Sequence, residues 1–121
     1  MPSFSTSSET KLTSCHPDLV RLFREVIKER DCTVLEGHRS MERQKQLFRD
    51  GKSKTLASKH LTQPSIAVDV MPYPIKWEDR EGQLDFATFV YMKAIELGVK
   101  VKWGGNFRNF YDSPHWELIG E

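Results

Sequence analysis

Apolar and polar positions change rhythm several times along the chain, and each change marks an element. After Pro17, the residues Leu19, Val20, Phe23, Val26 and Ile27 recur at helical spacing, and Lys28, Glu29 and Arg30 close the run with charge. That spacing lays one apolar stripe along a helix, and proline fits its first turn because the N–H it lacks has no partner there. CTVLEG over 32–37 is apolar and β-branched and stops at glycine, which predicts a strand. Ser40 then offers an N-cap for a second helix running to Asp50 and ending at Gly51.

A polar loop over 52–64 leads to IAVDVM, 66–71, a short buried strand that carries one carboxylate. Pro72, Pro74 and the charged WEDREGQ break the pattern before a third helix over 84–97, with Leu84, Ala87, Val90, Tyr91, Ala94 and Ile95 on its apolar side and Gly98 as its stop. Residues 99–103 read as a strand, Gly104-Gly105 as a turn, NFRNFYDSP as an aromatic loop and HWEL as a closing strand. Residues 1–12 are rich in Ser and Thr without periodicity and are expected to lie loosely on the surface or to join an edge. Helices alternating with short strands predict a small α+β domain over 13–121, its helices packed on a short antiparallel or mixed sheet.

Composition narrows the function. The 121 residues fit one domain with its own core. Lys and Arg total 18 against 17 acids, a net charge of +1, so no broad field draws a polyanion and nucleic acid is not an expected partner. No apolar stretch approaches the roughly 18 to 20 residues that span a bilayer, so no stable membrane insertion is expected. MPSFSTSSETKL has neither the basic start nor the apolar run of a signal peptide, which predicts synthesis in a cytoplasm. Cys15 and Cys32 belong to no CxxC pair and are expected to be reduced and buried, and His16 before Pro17 reads as a helix entry.

Asp69 is out of place between Val68 and Val70, because a carboxylate in an apolar strand needs compensating partners. His60, nine positions earlier, can fold back through LTQPS, and His115 can arrive from the last strand. Two imidazoles and one carboxylate form the open three-ligand set of a catalytic zinc, with a fourth position left for water. Glu117 shares the face of His115 in a strand starting there, so a plain terminal strand with a polar face is the competing reading. Arg39 reads either as an anion-binding group or as a surface ion pair with Glu36 or Glu42, and Gln44 either as a site residue or as part of a solvated helix face. Trp77, Trp103, Trp116, Phe107, Phe110 and Tyr111 read as core and rim rather than as a sugar platform, with Phe110 and Tyr111 able to wall a cleft beside Asp112.

SKHLTQPSIAVDVMP and DSPHWEL, preceded by EGHRSMERQKQLFRDGKSKT, together resemble the zinc D-Ala-D-Ala carboxypeptidase and L-alanyl-D-glutamate endopeptidase family over residues 34–118, and in particular its phage endolysin branch. The resemblance implies one Zn2+ per chain held by His60, Asp69 and His115, with Asp112 as the catalytic acid/base and Arg39 in a catalytic or substrate-side role. It implies substrate contacts from Gln44 and Ser58, and Glu117 as a group that orients a neighbour. The implied reaction is hydrolysis of the L-alanyl-D-glutamate bond of the peptidoglycan stem peptide by a monomer, released through a membrane lesion to lyse the host. Two alternatives stand beside it: a D-Ala-D-Ala carboxypeptidase or dipeptidase with the same site, and a non-catalytic, zinc-stabilised wall-binding module, in which an unliganded Asp112 would have no use. Between His60 and Asp69 this chain has Gln63-Pro64-Ser65 where the family has a glycine and a shorter spacer.

Overall fold

Successive side chains of a strand point to opposite faces, so Val68 and Val70 share one face and Asp69 takes the other. The structure, a computed structural model, describes residues 2–108 and 110–120. Strands β1 (Cys32–Glu36), β2 (Ala67–Pro72), β3 (Val101–Trp103) and β4 (His115–Leu118) form one sheet in the order β1-β2-β4-β3, with every pairing antiparallel. Val68, Val70, Trp103, Trp116 and Leu118 enter the core with Leu19, Leu22, Phe23, Val26, Phe86 and Val90. Trp116 is its centre, stacked on Trp103 at 6.1 Å and edge-on to Phe23 at 6.2 Å and Tyr91 at 5.1 Å.

Helix α2 (Pro17–Ile27) buries Leu19, Phe23, Val26 and Ile27 as their spacing predicts. His16 is its cap, the Nδ1 atom accepting from the Asp18 N–H at 3.0 Å, as a helix entry before Pro17 requires. Helix α3 (Met41–Arg49) starts at Ser40, whose hydroxyl accepts from the Arg43 N–H at 3.1 Å. Cys15 and Cys32 are free and buried, and burial pushes their thiols up to about 11 and about 12.

Three expectations need correction. Residues 1–12 are not loose throughout: Thr6–Thr13 is a helix, α1, capped by Ser5 and anchored by a fully buried Leu12. Its Ser8 hydroxyl accepts from the Val34 N–H at 3.0 Å, so a polar side chain does the docking that an apolar stripe usually announces. Helix α4 (Arg80–Leu97) starts at an Asp79 cap, earlier than 84, and its core face is Gln83, Phe86, Ala87, Val90 and Ala94. Leu84 and Ile95 are exposed, Ile95 by 80%, because a buried glutamine shifts the stripe away from the residues that hydropathy selects. Residues 99 and 100 precede β3 instead of opening it.

Candidate active site

Strand register builds the site. Asp69 lies opposite Glu36 of β1, beyond an irregularity between Val34 and Glu36, and opposite His115 of β4. Three neighbouring strands therefore align Glu36, Asp69 and His115 in one row. His60 comes from a 3-10 helix, Lys59–Leu61, capped by Ser58, whose hydroxyl accepts from the His60 N–H at 3.2 Å. The Asp69 Oδ1 atom lies 3.1 Å from His60 Nε2 and 3.4 Å from His115 Nδ1. One donor atom from each of His60, Asp69 and His115 falls within 4.8 Å of the others.

The longer spacer is absorbed away from these atoms. Thr62 Oγ1 donates to the Pro64 carbonyl at 3.0 Å, past a cis Gln63–Pro64 bond. The Ser65 N–H donates to the Ser14 carbonyl at 3.0 Å, and the His16 N–H returns a bond to the Ser65 carbonyl at 2.8 Å. His38 adds a bond from Nδ1 to the Thr62 carbonyl at 3.0 Å.

Outer hydrogen bonds fix which ring nitrogen faces inward. His60 Nδ1 is 2.8 Å from the Gly37 carbonyl, which can only accept, so Nδ1 carries a hydrogen and Nε2 is the nitrogen turned inward. His115 Nε2 donates to Glu117 Oε1 at 2.8 Å and turns Nδ1 inward, and Lys59 Nζ holds the other Glu117 oxygen at 2.8 Å. Metal-binding histidines are oriented by contacts of this kind. Burial works against the Asp69 charge, yet hydrogen bonds from His115 and His60 prevail and hold its carboxyl far below the usual range. Burial likewise opposes a charged His115, but Asp69 and Glu117 raise it to about 9. The His115 bond, with Lys59 adding to it, lowers Glu117 to about 2. Two inward imidazole nitrogens around a buried carboxylate are a donor set that fits a divalent metal.

Asp112 stands beside this set in a cleft of about 880 Å3 that His60, Asp69 and His115 also line. Its N–H donates to the Gly104 carbonyl and its carbonyl accepts from the His115 N–H, each at 3.1 Å. A Cβ at Gly104 would overlap the Asp112 carbonyl oxygen, so only glycine admits this approach. The Asp112 carboxylate has no hydrogen bond or ion pair among the described residues. Burial raises its pKa and Asp69 adds to the rise, while the imidazoles and Arg39 work the other way.

Arg39 does pair with Glu36, yet inside the cleft wall, its side chain only 10% exposed. Its Nε donates to Glu36 Oε1 at 2.9 Å, Nη2 contacts the same oxygen, and Nη1 donates to Gln44 Oε1 at 2.7 Å. Nη2 also lies 3.8 Å from Asp69 Oδ2. Gln44 is a correction: it is fully buried, and its Nε2 donates to Ser53 Oγ at 2.9 Å and the Thr55 carbonyl at 2.7 Å. It does not lie on a solvated helix face and instead holds Arg39 to the loop after α3. Ser58 lines the cleft, and Trp77, Phe110 and Tyr111 wall it, while Trp103 and Trp116 belong to the core. Glu36, Gly37 and Lys59 are the site residues that sequence reasoning passed over; Gly37 reads as a strand stop, and Lys59 as one more surface cation.

A donor set able to hold one metal ion, with an acid in the same cleft that has no hydrogen bond or ion pair among the described residues, is an arrangement suited to metal-assisted hydrolysis in a small α+β domain. The chain matches the phage L-alanyl-D-glutamate peptidase family over residues 2–119 and belongs to it. Among solved structures it is similar to the L-Ala D-Glu endopeptidase ChiX of Serratia marcescens, at 38% identity and a TM-score of 0.84, over 97% of this chain and 90% of that one. No curated protein sequence matches it. The protein is thus a peptidase, and among the described residues no helix is long and apolar enough to cross a membrane.

Proposed function

We propose that the protein is a zinc-dependent endopeptidase that hydrolyses the L-alanyl-D-glutamate bond of the peptidoglycan stem peptide and thereby opens the host wall. The observation that carries this reading is the convergence of His60 Nε2, Asp69 and His115 Nδ1 beside Asp112, whose carboxylate has no hydrogen bond or ion pair among the described residues. In this reading His60, Asp69 and His115 hold one zinc per chain. When bound there, zinc supplies a Lewis acid and lowers the pKa of water to about 7. Asp112 takes the proton of the attacking water and returns it to the leaving amine, a task suited to a carboxyl whose pKa burial has raised. Glu117 keeps the His115 ring in its donor orientation. Arg39 has spent three N–H groups on Glu36 and Gln44, so those that remain, on the Asp69 side, can stabilise developing negative charge on the scissile carbonyl. Ser58 contacts substrate at the cleft wall.

Digestion of purified peptidoglycan followed by labelling of new amino groups tests the proposal. Fresh N-terminal glutamate, abolished by a chelator and restored by zinc, is expected; free D-alanine without it would overturn the assignment.

A further inference from the structure

The cleft is lined by two unlike groups of side chains: aromatic Trp77, Phe110 and Tyr111, and basic Arg43, Lys52 and Lys54 from α3 and the following loop. Lys52 and Lys54 are exposed and have no ion pair among the described residues, while Arg43 only approaches Glu36, at 4.0 Å. Charge accounting leaves the basic group in excess. Arg39 is paired with Glu36, and Asp69 is enclosed by His60 and His115 in the candidate metal set. Arg43, Lys52 and Lys54 then face Asp112 alone, in a chain whose net charge is only +1. The positive charge at the cleft is therefore placed there and is not a sample of the whole surface.

The lysines also stand on a built segment. Ser53, between them, receives a bond from fully buried Gln44 at 2.9 Å, and the same amide binds the Thr55 carbonyl at 2.7 Å. The N–H groups of Lys52 and Ser53 donate to the Leu47 carbonyl at 2.9 and 3.1 Å. Ser53 is drawn inward, which leaves the side chains on either side of it to the cleft.

We propose that Lys52 and Lys54, with Arg43 beside them, are specificity-determining residues that bind the free carboxylates of the stem peptide. This rests on the endopeptidase reading above, because the half of the substrate that begins at D-glutamate is the anionic one. The uncharged part of the substrate then faces the aromatic side chains. The lysines contact substrate without taking part in bond cleavage, so they set KM and leave kcat nearly unchanged.

The test compares K52Q/K54Q with the unchanged enzyme, both zinc-loaded, on a muropeptide with free stem carboxylates and on the same muropeptide with those carboxylates amidated. Exposed charge pairs are modest, up to about fivefold each, so KM for the acidic muropeptide is expected to rise about tenfold with kcat within about twofold. On the amidated muropeptide the two proteins should agree. An unchanged KM on the acidic muropeptide, or an equal rise on both, overturns the proposal. Binding of both muropeptides to D112N, with and without the lysine changes, gives the same comparison independently of turnover. Absence of new N-terminal glutamate in the kinetic arm would count against the endopeptidase reading, whereas the binding arm would still decide the role of the lysines.

Discussion

Glu117→Gln preserves the shape of the side chain behind His115 and removes its charge. In the intact site the His115 Nε2–H donates to a carboxylate at 2.8 Å. With an amide oxygen in its place the bond falls to about half its strength, and losing such support behind a ligand costs about 10- to 100-fold in metal affinity. A second effect runs the other way. Without metal, His115 keeps its proton up to about 9 because Asp69 and Glu117 together outweigh burial, and metal must displace that proton. Apparent affinity of the unchanged protein should climb about tenfold per pH unit below that value. The variant, whose His115 pKa is lower, reaches its plateau at lower pH. The affinity gap is therefore expected to be full in alkali and to narrow as the medium becomes acidic. Zinc titrations against a chelating dye, over about pH 6 to 9, would measure it. A gap that stays constant with pH, or widens in acid, would refute the argument. The sign for metal-free stability follows from the same linkage. A raised His115 pKa contributes stability that is complete below its ordinary 6.5 and is lost as pH rises through about 9.

Asp112→Asn is expected to keep fold and zinc but to lose about 10² to 10⁴-fold in kcat; more than about a tenth of normal turnover with metal bound would remove Asp112 from the role of base. Gly104→Ala, which forces a methyl onto the Asp112 carbonyl, should cost about 1–3 kcal/mol and lower kcat as Asp112 shifts. An unchanged melting temperature would show that the loop yields freely. The thiols of Cys15 and Cys32, raised to about 11 and about 12 by burial, should stay protonated at neutral pH and react with iodoacetamide only as fast as the protein unfolds.

What the sequence made legible was whatever left a periodic or chemical trace of its own. Leu19, Phe23, Val26 and Ile27 repeat at helical spacing and so betray α2, and Asp69 betrays the site because a lone carboxylate between valines has few structural excuses. Residues whose work is done by polar contacts within the fold left no such trace. Ser8 and Leu12 dock α1 with one hydroxyl and one leucine, too little for a stripe. Gln83 and Gln44 are buried amides, and composition assigns such residues to the surface. Glu36 enters the row of Asp69 and His115 only through strand register and a local irregularity, neither of which can be read before the strands are paired.

Helix α1 has a consequence for how the protein can be handled. Its C-terminal end, at the Lys11 carbonyl and the Ser14 hydroxyl, closes on Gly37 so tightly that no Cβ could fit there. The carbonyl of that same glycine orients His60, at 2.8 Å. In the proposed reading, where His60 holds zinc, the metal site and the end of the first helix meet at this one glycine. A protease that cuts after exposed Lys11 should find its bond less often open in the zinc-loaded protein than in the stripped one, so the rate of that single cleavage becomes a gauge of metal occupancy read at the opposite end of the chain from His115.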